Sequence, residues 1–533
     1  MRFRLFSLCL LSAAFVLTAQ PAPPHVHIAA GDLEGTYDDA GPMAFLGIPY
    51  AAPPTGDRRW REPQPVTPWG PVRMVKSYGP ACMQPQSWAK IPPSEMSEDC
   101  LYLNVWTPSL SPSIAAPVMV YLHGGGFLNG SGNIDGARLA SHGAVVVTVN
   151  YRLGVFGFLA HPGLTAESPH HASGNYGLMD QIAALRWVRD NITAFGGDAR
   201  NITVFGESAG ATAIGYLMVS PLAQGVFDKA ILESPSGLFT PDPERTREVR
   251  GLTSMDTVGL AVAPNIAELR NASVQEVMDK ADAAVKKLFG PGGSGHVRLK
   301  PEGHTQNPDA IDSPWWAFTD GYVVPEQHAK LYANGKAMRI PVMVGTNADE
   351  GTVFLGSFAP KTMPEYDEYL AKTYAPCGRQ MREAYPAKTD KDVLPAADRV
   401  VTDAFFLYGS FELARTQHGY LYRFSRVAPA NQKTGATHGN EVRYVFGDTQ
   451  RDGYESLDHR LSDQMMTAWV HFARTGDPRL MQSSDWTRIG SDDETPYMDF
   501  GDTLSVKKLP YGSMHVFEDL WPASGKVPTC EKR

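Results

Sequence analysis

Ser208 sits in the run Gly206-Glu207-Ser208-Ala209-Gly210, directly after the β-branched stretch ITVF (202–205) and before the helix-compatible run ATAIGYLMV. A strand, a G-x-S-x-G turn and a helix, in that order, hold a serine hydroxyl out from the top of a sheet, because the glycines permit a turn that larger side chains would block. The pattern marks Ser208 as a nucleophile. A serine hydroxyl is weak at neutral pH, so it needs a base to take its proton and an acid to fix and stabilise that base. With this kind of turn the chain order is serine, acid, histidine. Downstream, VMVG leads into Thr346-Asn347-Ala348-Asp349-Glu350-Gly351, and YLYRF is followed by Thr437-His438-Gly439-Asn440-Glu441. The order is met by Ser208, then Asp349 or Glu350, then His438, and spacing does not choose between the two carboxylates.

Attack on a carbonyl builds negative charge on its oxygen, which backbone N–H groups can receive; one lost donor costs roughly 2.7–4 kcal/mol of barrier. His123-Gly124-Gly125-Gly126-Phe127, directly after VMVYL, offers such groups. Gly125, Gly126 and the N–H of Ala209 are the candidate donors. A phosphate-binding loop fits poorly, because no Lys-Ser/Thr follows the glycines. His25 with His27, and His170 with His171, are pairs without further ligands at informative spacing. His438-Gly-Asn-Glu441 does not match the His-Glu-x-x-His helix of zinc hydrolases. No metal or other cofactor is expected.

These residues need elements to bring them together. VMVYL (118–122) and VVVTV (145–149) are apolar on both faces, as interior strands of a sheet covered on both sides would be. ITVF, 230–232, VMVG (342–345) and YLYRF (420–424) are further strands. Leu178, Ile182, Leu185 and Val188 recur at helical spacing within 177–190, and Leu457, Leu461, Met465, Trp469 and Phe472 do so later. Strands alternating with helices predict an α/β architecture with a mainly parallel central sheet. A charged, Ala-rich helical insertion is expected at about 235–337. A less regular one, broken by Pro360, Pro364, Pro376 and Pro386, is expected at about 354–398.

The chain of 533 residues carries 48 Lys+Arg against 57 Asp+Glu, a net charge of −9, which lacks the basic excess that nucleic acid would demand. Arg2 and Arg4 precede an uncharged run from Leu5 to Leu17 and then small residues, the order of a secretory signal peptide over residues 1–19. Outside the cytoplasm thiols can pair. Cys82 and Cys100 flank a Pro-containing loop that a bond would staple, whereas Cys377 and Cys530 stand too far apart in the chain for sequence to decide. Length alone would suggest several domains. Ser208, the acid at 349 or 350 and His438 must converge on one sheet, however, so a single catalytic domain over 20–533 with insertions is expected.

Together these segments resemble the type B carboxylesterase/lipase family, the cholinesterase-like branch of the α/β-hydrolases. The resemblance rests on FLGIPYAAPP, SEDCLYLNVWTP, HGGGF, NYRLGVFGFL, the long run NYGLMDQIAALRWVRDNITAFGGDARNITVFGESAG, TNADEG, HGNEVRYVFG and FARTGDP, spread over nearly the whole mature chain. It implies an α/β-hydrolase fold and an exported serine carboxylesterase, periplasmic or extracellular, working through an acyl-enzyme on a small-molecule ester. It implies Glu350 rather than Asp349 as the acid, a Cys82–Cys100 disulfide, and Glu207, Ser234 and Glu441 as polar residues around the triad. Pro235 stands where that family usually has glycine after the serine. A lipase would need a mobile apolar lid, and the segment between Cys82 and Cys100 is short and polar, with Trp88 its only large aromatic. An inactive binding module typically lacks part of the triad, which is whole here. Trp315 and Trp316 are either pocket walls or packing. The sequons at Asn191, Asn201 and Asn271 say nothing about modification. No membrane anchor is expected after the leader, and a monomer is the default.

Overall fold

The computed structural model describes residues 22–85, 91–249, 252–289, 314–355, 359–479, 485–490, 494–510, 514–521 and Cys530. The proposed leader and Trp88 lie outside them. A small sheet joins β1 (His25–Ile28), β2 (Gly31–Glu34) and β5 (Arg73–Met74), and β6 (Ala81–Cys82) pairs with β7 (Met96–Ser97). The main sheet contains β3 (Thr36–Tyr37), β4 (Met43–Pro49), β8 (Tyr102–Thr107), β9 (Ala116–Leu122), β10 (Val145–Val149), β11 (Gly197–Glu207), β12 (Lys229–Glu233), β13 (Val342–Asn347), β14 (Tyr420–Phe424), β15 (Glu494–Phe500) and β16 (Leu504–Pro510). Its order is β16-β15-β14-β13-β12-β11-β9-β10-β8-β4-β3.

From β10 across to β15 every neighbouring pair is parallel, while β16 at one end and β8, β4 and β3 at the other are antiparallel. Every residue of β9 and β10 is buried. Val118, Val120 and Leu122 enter one hydrophobic core and Met119 and Tyr121 the other, which is why these strands read as continuous apolar runs. The chain leaves β9 for β10 on one side and returns to β11 on the other. Between β9 and β11 the strand order therefore reverses, and the loops at their carboxyl ends diverge to open a crevice. The glycine-rich loop follows β9 and Ser208 follows β11.

Both sequence-derived helices form, as Tyr176–Asn191 and Ser456–Thr475, the second ending on Gly476 in the left-handed conformation. The stretch expected as the first insertion contains the helices Met255–Val262, Ile266–Asn271, Val274–Phe289 and His328–Ala333. The second is more regular than expected. It contains Met363–Thr373, Gly378–Ala384 and Asp390–Val401, with Pro364 in a first turn and Pro376 and Pro386 between helices. In a first turn proline lacks only an N–H that is unpaired there anyway, so Pro364 opens its helix, while Pro395 lies inside Asp390–Val401. Thr362 with Glu365 and Thr389 with Asp392 close capping boxes on two of these helices. Disulfides join Cys82 to Cys100 and Cys377 to Cys530, with Cα atoms 5.0 and 5.1 Å apart. Among the described residues no helix is long and apolar enough to cross a membrane.

Candidate active site

Ser208 occupies the sharp turn between β11 and the helix Ala209–Val219, at φ 54° and ψ −121°. This is a strained backbone for a residue with a side chain, worth roughly 1–3 kcal/mol. The turn is held on both sides: the Ser208 N–H donates to the Glu233 carbonyl at 2.9 Å, and the Thr212 N–H donates to the Ser208 carbonyl at 2.8 Å. A Cβ at Gly210 would run into the Leu122 carbonyl oxygen, so this turn can lie against β9 only with glycine there. The Ser208 side chain makes no capping bond to its helix. It is 9% exposed.

Glu350 and His438 arrive from the loops after β13 and β14. Glu350 Oε2 lies 2.6 Å from His438 Nδ1. Its Oε1 accepts the Ser234 hydroxyl at 2.5 Å and the Asn347 N–H at 2.7 Å. The carboxylate is fully buried, so these donors take the place of its water. Asp349 points elsewhere. Its Oδ2 accepts the Ala436 N–H at 2.7 Å, bracing the loop that carries His438. The geometry thus separates two carboxylates that spacing left equivalent.

Of the surrounding residues, Ser234 bridges Glu350 and, at 3.5 Å, Glu441 Oε1. Pro235 does not displace it. Glu441 also accepts from the Asn347 amide. Glu207 lies closer to the chemistry than its sequence role implied, with Oε1 3.1 Å from His438 Nε2, the nitrogen that faces the nucleophile in a serine–histidine pair. Burial opposes charge on His438, but the Glu207 and Glu350 carboxylates outweigh it and hold the imidazole up to about 9. Burial, with the neighbouring carboxylates, pushes Glu207 and Glu441 upward. Burial pushes Glu233 up to about 8, although its carboxylate accepts the Trp469 indole N–H.

The glycine-rich loop is pressed against this group, since a Cβ at Gly124 would stand 3.0 Å from Ser208 Cβ. Gly125 and Gly126 take φ 102° and 63°. Two groups that hold the loop were not singled out from sequence. The His123 ring stacks on Tyr151 with centroids 4.3 Å apart, and its Nδ1 lies 2.8 Å from the Gly124 carbonyl. Burial drops His123 to about 4, so at neutral pH it donates there without charge. Gln84, two residues after Cys82, clasps Gly130 through both backbone groups, at 2.9 Å each. No local pattern announces either, because each acts through a partner distant in sequence.

Of the remaining sequence candidates, Trp316 borders the site and the paired histidines lie apart from it. Trp316 packs edge-on against Phe127 at 4.8 Å, beside the glycines, and both indoles are largely buried. His25 and His27 pair with Glu34 and Asp32 across a hairpin, and His170 stacks on Tyr322. Among the described residues no group of three His, Cys, Asp or Glu could hold a metal ion. The arrangement can deprotonate a serine, stabilise the resulting imidazolium and receive an oxyanion at backbone N–H groups.

Comparison with known proteins agrees with that chemistry. A family model described as "Carboxylesterase family" matches residues 22–516. Fumonisin B1 esterase of Sphingopyxis macrogoltabida is 38% identical over 500 residues, covering 90% of this chain and 87% of that protein. Para-nitrobenzyl esterase of Bacillus subtilis (strain 168) is 34% identical over 477 residues, covering 84% and 89%. Among solved structures, a PNB esterase superposes with a TM-score of 0.77 at 30% identity, covering 93% of this chain and 99% of that one. A Geobacillus stearothermophilus carboxylesterase does so with 0.74 at 29%, covering 92% and 99%.

Proposed function

The chain belongs to the carboxylesterase family and is a serine hydrolase of carboxylic esters, and from that premise we propose the residues and steps by which it works. Ser208 Oγ attacks the ester carbonyl while His438 Nε2 takes its proton. The tetrahedral oxyanion is received by the N–H groups of Gly125, Gly126 and Ala209, the last at the N-terminus of an 11-residue helix whose dipole favours negative charge. His438, held by Glu350, returns the proton to the leaving alcohol as the ester C–O bond breaks. Water, deprotonated by His438, then attacks the acyl-Ser208 carbonyl, and His438 passes that proton to Ser208 Oγ as the acyl–oxygen bond breaks and the acid leaves. Side chains and backbone groups handle every proton and charge in this cycle.

The observation that carries this reading is the 2.6 Å Glu350–His438 hydrogen bond, formed beside the strained Ser208 turn at the point where the strand order reverses. Aromatic rings wall the site, with Phe354 and Phe406 at His438 and Phe127 with Trp316 beside the glycines. Such walls support uncharged esters as substrates. The names of the two relatives quoted above span para-nitrobenzyl and fumonisin B1 esters, so p-nitrophenyl esters of graded chain length are the apt probes. Ser208→Ala is expected to abolish p-nitrophenyl acetate hydrolysis with folding intact. More than a few per cent of residual turnover would rule out this nucleophile.

Export is part of the proposal. Two disulfides persist where thiols are not kept reduced, and residues 1–19 carry the residue order of a leader. Protein recovered from the periplasm or medium should begin near residue 20, and a mature protein starting at Met1 would overturn this.

A further inference from the structure

The helix beginning at Asp390 does not pass regularly into Tyr408–Gln417. Over Thr402–Leu407 it widens into a π-turn, where the Tyr408 N–H donates to the Asp403 carbonyl five residues back. Such segments are rare inside helices and occur frequently at functional sites.

Three groups of this turn reach the catalytic cluster. Thr402 Oγ1 accepts the N–H of Gly351, the residue after Glu350, at 3.1 Å. The Phe405 carbonyl accepts the Gly237 N–H from the loop of Ser234 at 2.9 Å. Close approach of that loop also depends on Gly409, where a Cβ would stand 2.7 Å from the Leu238 carbonyl oxygen. The Phe406 ring, fully buried, lies with its centroid 4.8 Å from that of His438. It also meets Phe354 at 5.3 Å, and Phe354 in turn lies 5.0 Å from His438.

We propose that the π-turn Thr402–Leu407 is the positioning element of the catalytic base, and that Phe406 is the residue through which it sets the orientation of the His438 ring. The Glu350 hydrogen bond fixes one atom of the imidazole, Nδ1, and leaves the ring free to swing about it. Orientation decides what Nε2 meets, because Glu207 Oε1 already lies 3.1 Å away on one side of the choice and the Ser208 hydroxyl is the productive partner. Phe406 and Phe354, in contact with each other, close off part of that swing. The bonds to Gly351 and Gly237 tie the same turn to the loops of the acid and of Ser234, so acid, base and their support share one scaffold.

This rests on the roles proposed for Ser208 and His438, and the test separates the two. Phe406→Leu and Phe406→Met remove the ring at similar volume, and Phe406→Tyr restores it. With p-nitrophenyl acetate and the full-length protein, the ring-free variants should lose about tenfold or more in kcat with KM nearly unchanged, and Phe406→Tyr should recover most of the loss. A folded ring-free variant with wild-type kcat overturns the proposal, as does a change confined to KM. Recovery no better in Phe406→Tyr than in Phe406→Leu overturns it too, and so does failure of both ring-free variants to fold, since each would mark a packing role. Organophosphate labelling of wild-type Ser208 is read alongside. An unlabelled wild type sinks the functional reading itself, whereas a labelled one with unaltered variants sinks only the role of Phe406.

Discussion

His438 can act as a base only while neutral, so its activity limb lies where the imidazole loses its proton, and neighbouring carboxylates set that point. Glu207 and Glu350 hold it up to about 9 against the effect of burial. Protonation below that value removes the base, so kcat/KM should rise with pH toward it. Glu207→Gln withdraws the leading attractive charge, and the acid limb should move down by about one unit or more. A limb that stays in place or moves up would contradict the assignment. Ser234→Ala removes one of two donors to Glu350 Oε1 while leaving the Asn347 N–H. A hydrogen bond to a charged group contributes about 1.5–3 kcal/mol, a loss that denaturant titration should detect, with kcat falling as the acid loosens. At this scale the sequence was most legible for Ser208 and His438, whose flanking patterns encode their turns. It was silent on Glu207 facing Nε2 and on His123 stacking against Tyr151, since those contacts exist only after distant strands pair.

Elements place these residues, and the loop after β9 is the one most dependent on outside support. Gln84 holds Gly130 by two hydrogen bonds, each worth about 1 kcal/mol net. Gln84→Ala should lower kcat several-fold, more than it raises KM, because the oxyanion donors act in the transition state and the ground state needs them less. Equal effects on both constants, or none, would show that the clasp does not govern that loop. Interior strands such as β9 and β10 could be read directly, because burial on both faces leaves an unbroken apolar signature. The hairpin β15–β16 could not: Leu504–Pro510 carries Lys507 and Lys508 at a sheet edge, where one side faces water and the pattern dilutes. The prolines of 354–398 read as interruptions, whereas Pro364 starts a helix, Pro376 and Pro386 stand between helices and Pro395 is carried inside Asp390–Val401.

For the whole molecule, we propose one catalytic domain, since the loops bearing Ser208, Glu350 and His438 all rise from a single sheet. Calorimetry should show one cooperative transition, and a separate transition for either insertion would refute that. Replacing Cys377 and Cys530 together by serine should cost roughly 2–5 kcal/mol, with the loop-entropy account favouring the larger value for so long a closed segment. A midpoint unchanged in chemical denaturant would show the bond to be idle. The Cys82–Cys100 pairing was legible from the short proline-bearing loop, while Cys377–Cys530 was not, because its partners meet only once the insertion and the chain end have both folded. That second bond closes a ring of chain containing His438 but neither Ser208 nor Glu350. A protease that cuts once anywhere inside the ring therefore cannot detach a piece. The nicked enzyme would keep its base tethered to its nucleophile and migrate as one band until a reductant is added, whereas an unbridged chain would run as two.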